Sequence, residues 1–454
     1  MEDGQRMHEE ARVSDGACVR VPSASRALTR RGFLAASALG LAAALAPSLP
    51  GCSTSKNVVV DTAGDEAVGT RLTFFGFKYE SINVMAIEDI LRAYMDEHPN
   101  VSVSYEGIKS LPYYEALVKR LDSGNGDDVF MIDHDTALSF EKKGYLSDLA
   151  DLPTISTFSR LALDQMEADG AICYVPTSIS AFGLYCNLGL LEARGIAAPR
   201  TVAEFEHACE AFLAEGMTPL VANNDISFKT LALARGMAEV YAAEDARARI
   251  AALSNDPDAL AAQLRPGLDL VERFVAAGYV DAALALETKK TADDLDQFAT
   301  GQYPFMLTGA WASVRVHDMA PDLAYEVHPL PVLDEGPVLV VNVDTRVSVN
   351  ANGPHVDTAK EFAAFLTRPE SIEHFANSQC SFSPLKGNAA PDDASLRPLA
   401  GAFSSGAVVG SDDNILLPIW GALRKCAVSL LQGGSAAQAE VQLRDLLAEG
   451  AGAR

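Results

Sequence analysis

Basic residues are scarce in this chain: 36 Lys and Arg stand against 61 Asp and Glu over 454 positions, for a formal net charge of −25. That balance excludes nucleic acid as a partner, because phosphate binding draws on clustered Lys and Arg, and it opposes a peripheral hold on anionic lipid. Cysteine is thin as well, at seven residues. Beyond position 52 only Cys173, Cys186, Cys209, Cys380 and Cys426 remain, an odd and widely spaced set that excludes a disulfide scaffold and offers no zinc-ligand spacing. Cys173 and Cys186 flank a segment able to fold back on itself, so a bridge and two free thiols both stay open for that pair. Three enzyme signatures are missing: a Gly-x-Ser-x-Gly elbow, a phosphate loop ending in Gly-Lys-Ser/Thr, and a His-Glu-x-x-His helix. Asp122 to Gly126 reads as a turn, since Gly124 stands where a calcium loop needs an oxygen ligand. Asp133, His134 and Asp135 are adjacent and point in alternate directions on a strand end, which does not build a metal site. The expectation is a chain without metal or cofactor and without enzymatic activity. A hydrolase using two carboxylates stays open, because their spatial separation is not written in the sequence.

Among what is present, Thr29-Arg30-Arg31-Gly32-Phe33-Leu34 opens an apolar run that ends at Leu49-Pro50-Gly51-Cys52. A paired arginine before a short hydrophobic segment resembles a twin-arginine export signal, and the closing cysteine resembles the acylation site of bacterial lipoproteins. Phe33 to Leu49 barely reaches the length of a bilayer core and is interrupted by Ser37, Pro47 and Ser48. Residues 1–51 are therefore read as a cleaved export signal, Cys52 as the lipidation site, and residues 52–69 as a flexible tether. An uncleaved N-terminal anchor is the alternative, and either one puts the remainder outside the cytoplasm.

The body begins near Arg71. Leu72 to Phe75, Val101 to Tyr105 and Asp127 to Ile132 read as strands, alternating with helices over Ile87 to Tyr94, Tyr113 to Leu121 and Ala137 to Lys143. This order implies a mostly parallel α/β sheet, whose ligands gather at the carboxyl ends of the strands. A second α/β region follows, with strands at Ala171 to Val175 and Gly183 to Asn187 and a helix from Thr201 to Glu215 that Thr201 caps. Asp258 to Ala277 is helical, Tyr303 to Leu307 extended, Val338 to Val349 β-rich, and the C-terminal part helical again.

An ordered set of short segments carries a resemblance. Leu121-Asp-Ser-Gly124, Asp128-Val-Phe and Lys143-Gly-Tyr-Leu-Ser-Asp-Leu149 precede Tyr174-Val-Pro176, Leu184-Tyr-Cys-Asn187 and Pro199-Arg-Thr-Val-Ala-Glu-Phe205. Phe298-Ala-Thr-Gly301, Gly309-Ala-Trp311, Leu330-Pro331 and Ala359-Lys-Glu-Phe-Ala363 follow. Together they resemble the extracellular solute-binding proteins of sugar-type ABC importers, the maltose-binding type, over roughly Arg71 to Glu449. The resemblance implies a two-lobed periplasmic-binding-protein-like α/β fold that closes on its ligand by a hinge. Lobe 1 is expected over 70–178 plus 345–388 and lobe 2 over 179–344 plus 389–454, with crossings near Ser178 to Phe182, Val338 to Val347 and Lys386 to Pro398.

The resemblance also implies binding residues. The loop after the first strand supplies Lys78, Tyr79 and Glu80, and the end of the third supplies His134 and Asp135. Ser180 replaces a carboxylate at the first crossing, and Asp225, with Ser227, falls near another contact region. Trp311 and Trp420, the only two tryptophans, stand where rings stack on sugar faces. Trp311 is read as a site residue; Trp420 fits a site or a core position equally. The implied function is an extracytoplasmic, lipid-anchored, monomeric receptor that delivers a sugar or oligosaccharide to an ABC permease. A polyol, a glycerol phosphodiester or a peptide is the alternative solute, with an exported carbohydrate hydrolase as the rival class. A phosphorylated ligand would want convergent Arg or Lys, of which Lys78, Arg315 and Lys386 are the visible ones near the expected site.

Overall fold

The computed structural model describes residues 57–60 and 69–452 apart from 110, 169, 388–389, 406–407 and 412–414; the export signal and Cys52 lie outside the described residues. Twelve strands are present: β1 (Asn57–Val60), β2 (Thr70–Gly76), β3 (Val101–Ile108), β4 (Val129–Ile132), β5 (Glu167–Ala168), β6 (Ala171–Ile172), β7 (Val175–Asn187), β8 (Leu220–Val221), β9 (Phe305–Gly309), β10 (Tyr325–His328), β11 (Leu339–Val349) and β12 (Val408–Gly410). Ten of them form one sheet in the order β1-β3-β2-β4-β11-β7-β9-β8, with β10 paired to β7 and β12 to β11. Helix-connected neighbours are parallel, as β2 is to β3 and β4 and as β8 is to β9. The antiparallel pairs come from β1, β10 and the long strands β7 and β11, which carry the sheet from one half to the other.

The alternation of these strands sorts the apolar side chains into two cores. On β7, Ala181 and Tyr185 join the core that holds Phe75, Phe130 and Phe362, whereas Phe182, Leu184 and Cys186 join the one that holds Phe205, Phe228 and Phe274. β9 divides in the same way, with Met306 on the first side and Phe305 and Leu307 on the second.

Most expected elements are present, and the differences have physical causes. The expected tether contains strand β1, whose Asn57 to Val60 lie against Ile108 to Tyr105 of β3. Its Val-Val-Val run carries the β propensity that the small polar neighbours obscure. The expected crossing at Ser178 to Phe182 is the middle of β7, paired through Asn342 and its neighbours on β11. Thr345 adopts φ 48° inside β11, a left-handed conformation that a β-branched residue avoids unless its surroundings impose it. Here its N–H donates to Asp344 Oδ1 at 2.7 Å and its carbonyl accepts from Thr177 Oγ1 at 3.3 Å. Helix Val202–Ala214 has the capping box its sequence announces: Thr201 Oγ1 accepts from the Glu204 N–H, and Glu204 Oε2 accepts from the Thr201 N–H. All five described cysteines are free thiols. No described helix is long and apolar enough to cross a membrane.

Helix Ser227–Ala242 has no counterpart in the sequence reading, since twelve of its sixteen residues are buried and leave no amphipathic stripe to read. It packs on helix Pro257–Ala276 through glycines. A Cβ at Gly267 would stand 1.9 Å from the Ala232 carbonyl oxygen, so the two backbones meet only because position 267 lacks one. Gly267→Ala is expected to destabilise by about 3 kcal/mol, read as a lower urea midpoint with an unchanged slope. Gly401→Ala, in a helix where nothing lies within 4 Å, is the control and should leave the midpoint unchanged or raise it.

Candidate ligand-binding site

The site is built around Phe182. Its ring meets Trp311 edge-on, with centroids 5.3 Å apart at 81°, and Trp420 at 5.4 Å and 49°. Phe182 belongs to β7, Trp311 to the turn after β9, and Trp420 to the first turn of helix Ile419–Leu431. Three elements far apart in sequence thus bring the only two tryptophans onto one ring. The Trp311 indole folds back over the end of β9, where a Cβ at Gly309 would lie 2.2 Å from it, so glycine is required there. Both indoles remain half-buried while Phe182 is buried.

Asp225 reaches this cluster through a cation. Lys229, four residues on, is 2% exposed; its Nζ donates to Asp225 Oδ1 at 2.6 Å and sits 4.0 Å from the Trp420 ring centroid. Lys290 Nζ takes the other oxygen of Asp225 at 2.5 Å, and Arg424 Nε lies 3.7 Å from Asp225 Oδ1. Burial pulls the Lys229 ammonium down to about 8 despite Asp225 beside it. Burial also pushes the Asp225 carboxyl up, but Lys229 and Lys290 outweigh it and hold the group well below the carboxylate range. Asp225 therefore holds cations in place. Ser227 turns inward, its Oγ donating to the Leu307 carbonyl at 2.6 Å.

From Trp311 the chain of contacts runs the other way through Arg315. Its Nη1 donates to the Thr291 carbonyl at 2.9 Å, next to Lys290, and its Nη2 lies 3.7 Å from Glu80 Oε1. Glu80 stands just before helix Ser81–Glu97 without a side-chain capping bond, and its Oε2 accepts from Asn83 Nδ2 at 3.1 Å. Burial raises its carboxyl, and its own backbone N–H, Lys78 and Arg315 more than offset that, leaving it lowered. The Lys78 carbonyl accepts from the Tyr105 hydroxyl at 2.7 Å, and Lys109 Nζ lies 5.3 Å from the Tyr79 ring centroid. Tyr79 is thus the expected site residue with the least connection to the tryptophans.

His134 and Asp135 begin helix His134–Lys142 and face the segment that leads into Trp420. His134 Nε2 is 2.7 Å from the Ile415 carbonyl, which can only accept, so Nε2 carries the proton. Asp135 Oδ2 stands 3.5 Å from the point a Cβ would take on Gly421. Ser180 shares a face of β7 with Phe182 and donates from Oγ to Asp344 Oδ2 at 2.7 Å, so Asp344 restores a carboxylate where Ser180 lacks one. Lys386 lines a separate groove with Ser156, Thr157 and Glu373.

Sequence reasoning missed Phe182, Lys229, Lys290, Asp344 and Arg424. The i,i+4 spacing of Asp225 and Lys229 was a usable signal; the other four converge only through the fold. Among the described residues no group of His, Cys, Asp and Glu is placed to hold a metal ion.

The buried ammonium makes a pH prediction. Because Lys229 titrates at about 8 in the folded protein and near 10.5 when unfolded, the unfolded chain binds the extra proton in that window. The stability of the wild type relative to Lys229→Met should therefore rise between pH 8 and 10.5, as read from urea midpoints. A constant difference would contradict the placement.

With this geometry in view, comparison with known proteins is informative. The sequence profile described as bacterial extracellular solute-binding protein matches residues 89–399, more than half of the chain. No curated protein matches it by sequence. Among solved structures, a binding protein, MsmE, from Bacillus subtilis, in an open conformation, superposes with a TM-score of 0.68 at 17% identity, covering 85% of this chain and 98% of that one. RafE in complex with raffinose gives 0.66 at 18%, covering 84% and 99%. The GacH receptor of Streptomyces glaucescens, solved unliganded and with acarbose, gives 0.66 at 17%, covering 84% and 99%. These likenesses share the two-lobed α/β fold, and the profile match decides membership: the chain belongs to the bacterial extracellular solute-binding protein family.

Proposed function

We propose that this protein is the sugar-capturing receptor of an ABC importer, tethered to the membrane by a lipid on Cys52. The family places the chain outside the cytoplasm and makes it a solute binder. The observation that carries the sugar reading is the pairing of both tryptophans on Phe182, half-exposed and fringed by charged side chains. Sugar rings present C–H faces that pack on aromatic surfaces, and their hydroxyls pair with carboxylates and cations around the edge. RafE, with raffinose, and GacH, with acarbose, lend this support as carbohydrate binders of the same fold.

In this reading one lobe comprises residues 70–178 and 345–388 and the other 179–344 and 389–454. The hinge lies where Ser178 pairs with Asp344, beside the left-handed Thr345. Ligand touching Trp311, Trp420 and Asp344 on one side and His134 and Asp135 on the other favours the closed form, which a permease reads.

The test follows tryptophan emission of the full-length protein in mild detergent during titration with mono- and oligosaccharides. A saturable shift with one sugar is expected, and Trp311→Ala should weaken that binding by about tenfold or more while the thermal midpoint hardly moves. Normal affinity with a large loss of stability would make Trp311 a core residue instead. For the anchor, Cys52→Ser should move the protein from the membrane fraction to the soluble one; unchanged membrane association would remove the lipid from the account.

A further inference from the structure

The wall that carries the tryptophans has an excess of cations. Lys229, Lys290 and Arg424 converge on the single carboxylate of Asp225, whereas Arg315, beside Thr291, is balanced by Glu80. The next acidic groups along the chain are already engaged. Asp294 accepts from Asn223, Thr308 and the backbone N–H groups of Ala292 and Leu295, and Asp293 Oδ2 accepts from the Lys289 N–H. Lys290 and Arg424 keep 44% and 51% of their side chains exposed. Arg424 Nε donates to the Asn224 carbonyl at 3.3 Å, and no described residue takes up its two Nη groups. These donors stand open around Asp225, which Lys229 links to the Trp420 ring.

This concentration departs from the rest of the molecule. A chain of net charge −25 repels an approaching anion at long range, and only local cations within about 8 Å offset that field at physiological salt. The hydroxyls of a neutral sugar need no such excess, because each donates as readily as it accepts. The Trp420 ring adds a second sign. Lys229 lies over the ring, against which Phe182 also packs, and the ammonium reduces the negative potential that an aromatic face presents. A ring backed in this way accommodates an anionic group nearby.

We propose that the solute is an acidic sugar bearing a carboxylate, of the uronic-acid type, with Arg424 and Lys290 pairing that carboxylate beside Trp420. The proposal rests on the sugar-receptor reading above and specifies its substrate class. A planar guanidinium suits a carboxylate because two N–H groups meet two oxygens, and Lys290 adds a point charge.

The experiment titrates the full-length protein in mild detergent with glucose, galactose and maltose against glucuronate, galacturonate and digalacturonate. Glucose 1-phosphate and galactose 6-sulfate serve as other anions. A uronate is expected to bind about tenfold or more tighter than its neutral counterpart, with the preference shrinking as salt rises from about 50 to about 500 mM. In the Lys290→Gln, Arg424→Gln double variant the ratio of uronate to neutral affinity should fall to near unity. A merely structural role would lower both affinities together and leave the ratio, which would overturn the assignment. Both substituted side chains are half-exposed, and an unchanged thermal midpoint verifies folding. Neutral sugars bound as tightly as uronates would overturn the acidic-sugar proposal and leave the sugar receptor standing. The phosphate or sulfate bound more tightly than any uronate would overturn the carboxylate assignment. No binding of any sugar by folded protein would overturn the receptor reading as well.

Discussion

The antiparallel pairing of β7 with β11 is the constraint on which the rest depends. From Val175 to Phe182, β7 runs beside Val347 to Val340, and beyond that point it takes β9 and β10 as neighbours. One strand, buried along its whole length, therefore belongs to both halves of the sheet. The period-two alternation fixes what each face receives. Ser180 and Phe182 point to one side, and a slip of a single residue would exchange them for Ile179 and Ala181. Phe182 can then bring together a turn after β9 and a helix more than 100 residues further on, because both close over the same strand.

Electrostatics divides the site. Carboxylates, Asp135 and Asp344, lie on the side of β4 and β11, whereas Lys229, Lys290, Arg424 and Arg315 lie around the tryptophans. A buried ammonium is costly unless paired, and Lys229 is paired twice, with a carboxylate and with an aromatic face. Such an arrangement adds little to the stability of the fold by itself. Its consequence is to fix the plane of Trp420 against Lys229 and Phe182. Glu80 with Arg315, and His134 with the Ile415 carbonyl, join the two sides at further points, so the site is framed by contacts between elements distant in sequence.

Much of this was legible in the chain. The strand–helix alternation from Leu72 to Lys143 gave the sheet, Thr201 announced a capped helix, and the two tryptophans singled out the candidate site. What stayed hidden follows from physics that sequence windows do not carry. Helix Ser227–Ala242 buries twelve of its sixteen residues, and the narrow stripe of Arg235 and Glu239 is too little to set its period. β1 is a short strand among residues that read as linker, and its pairing depends on β3 some 45 residues later. Lys290 and Arg424 meet at Asp225 only because helices and loops from three places converge, and Asp344 compensates for Ser180 only through the register of β7 on β11. Lys386 illustrates the reverse error, for proximity in an expected crossing placed it at the site whereas the fold assigns it to another groove.

The central claim is that Trp311 and Trp420 form one binding surface on Phe182. A crystal structure of the protein with a bound oligosaccharide tests it most directly. The account predicts sugar rings packed on both indoles, with Asp344 and the Asp225 cations at their edges. A sugar lodged elsewhere, such as the groove lined by Ser156, Glu373 and Lys386, with both indoles untouched, would contradict it.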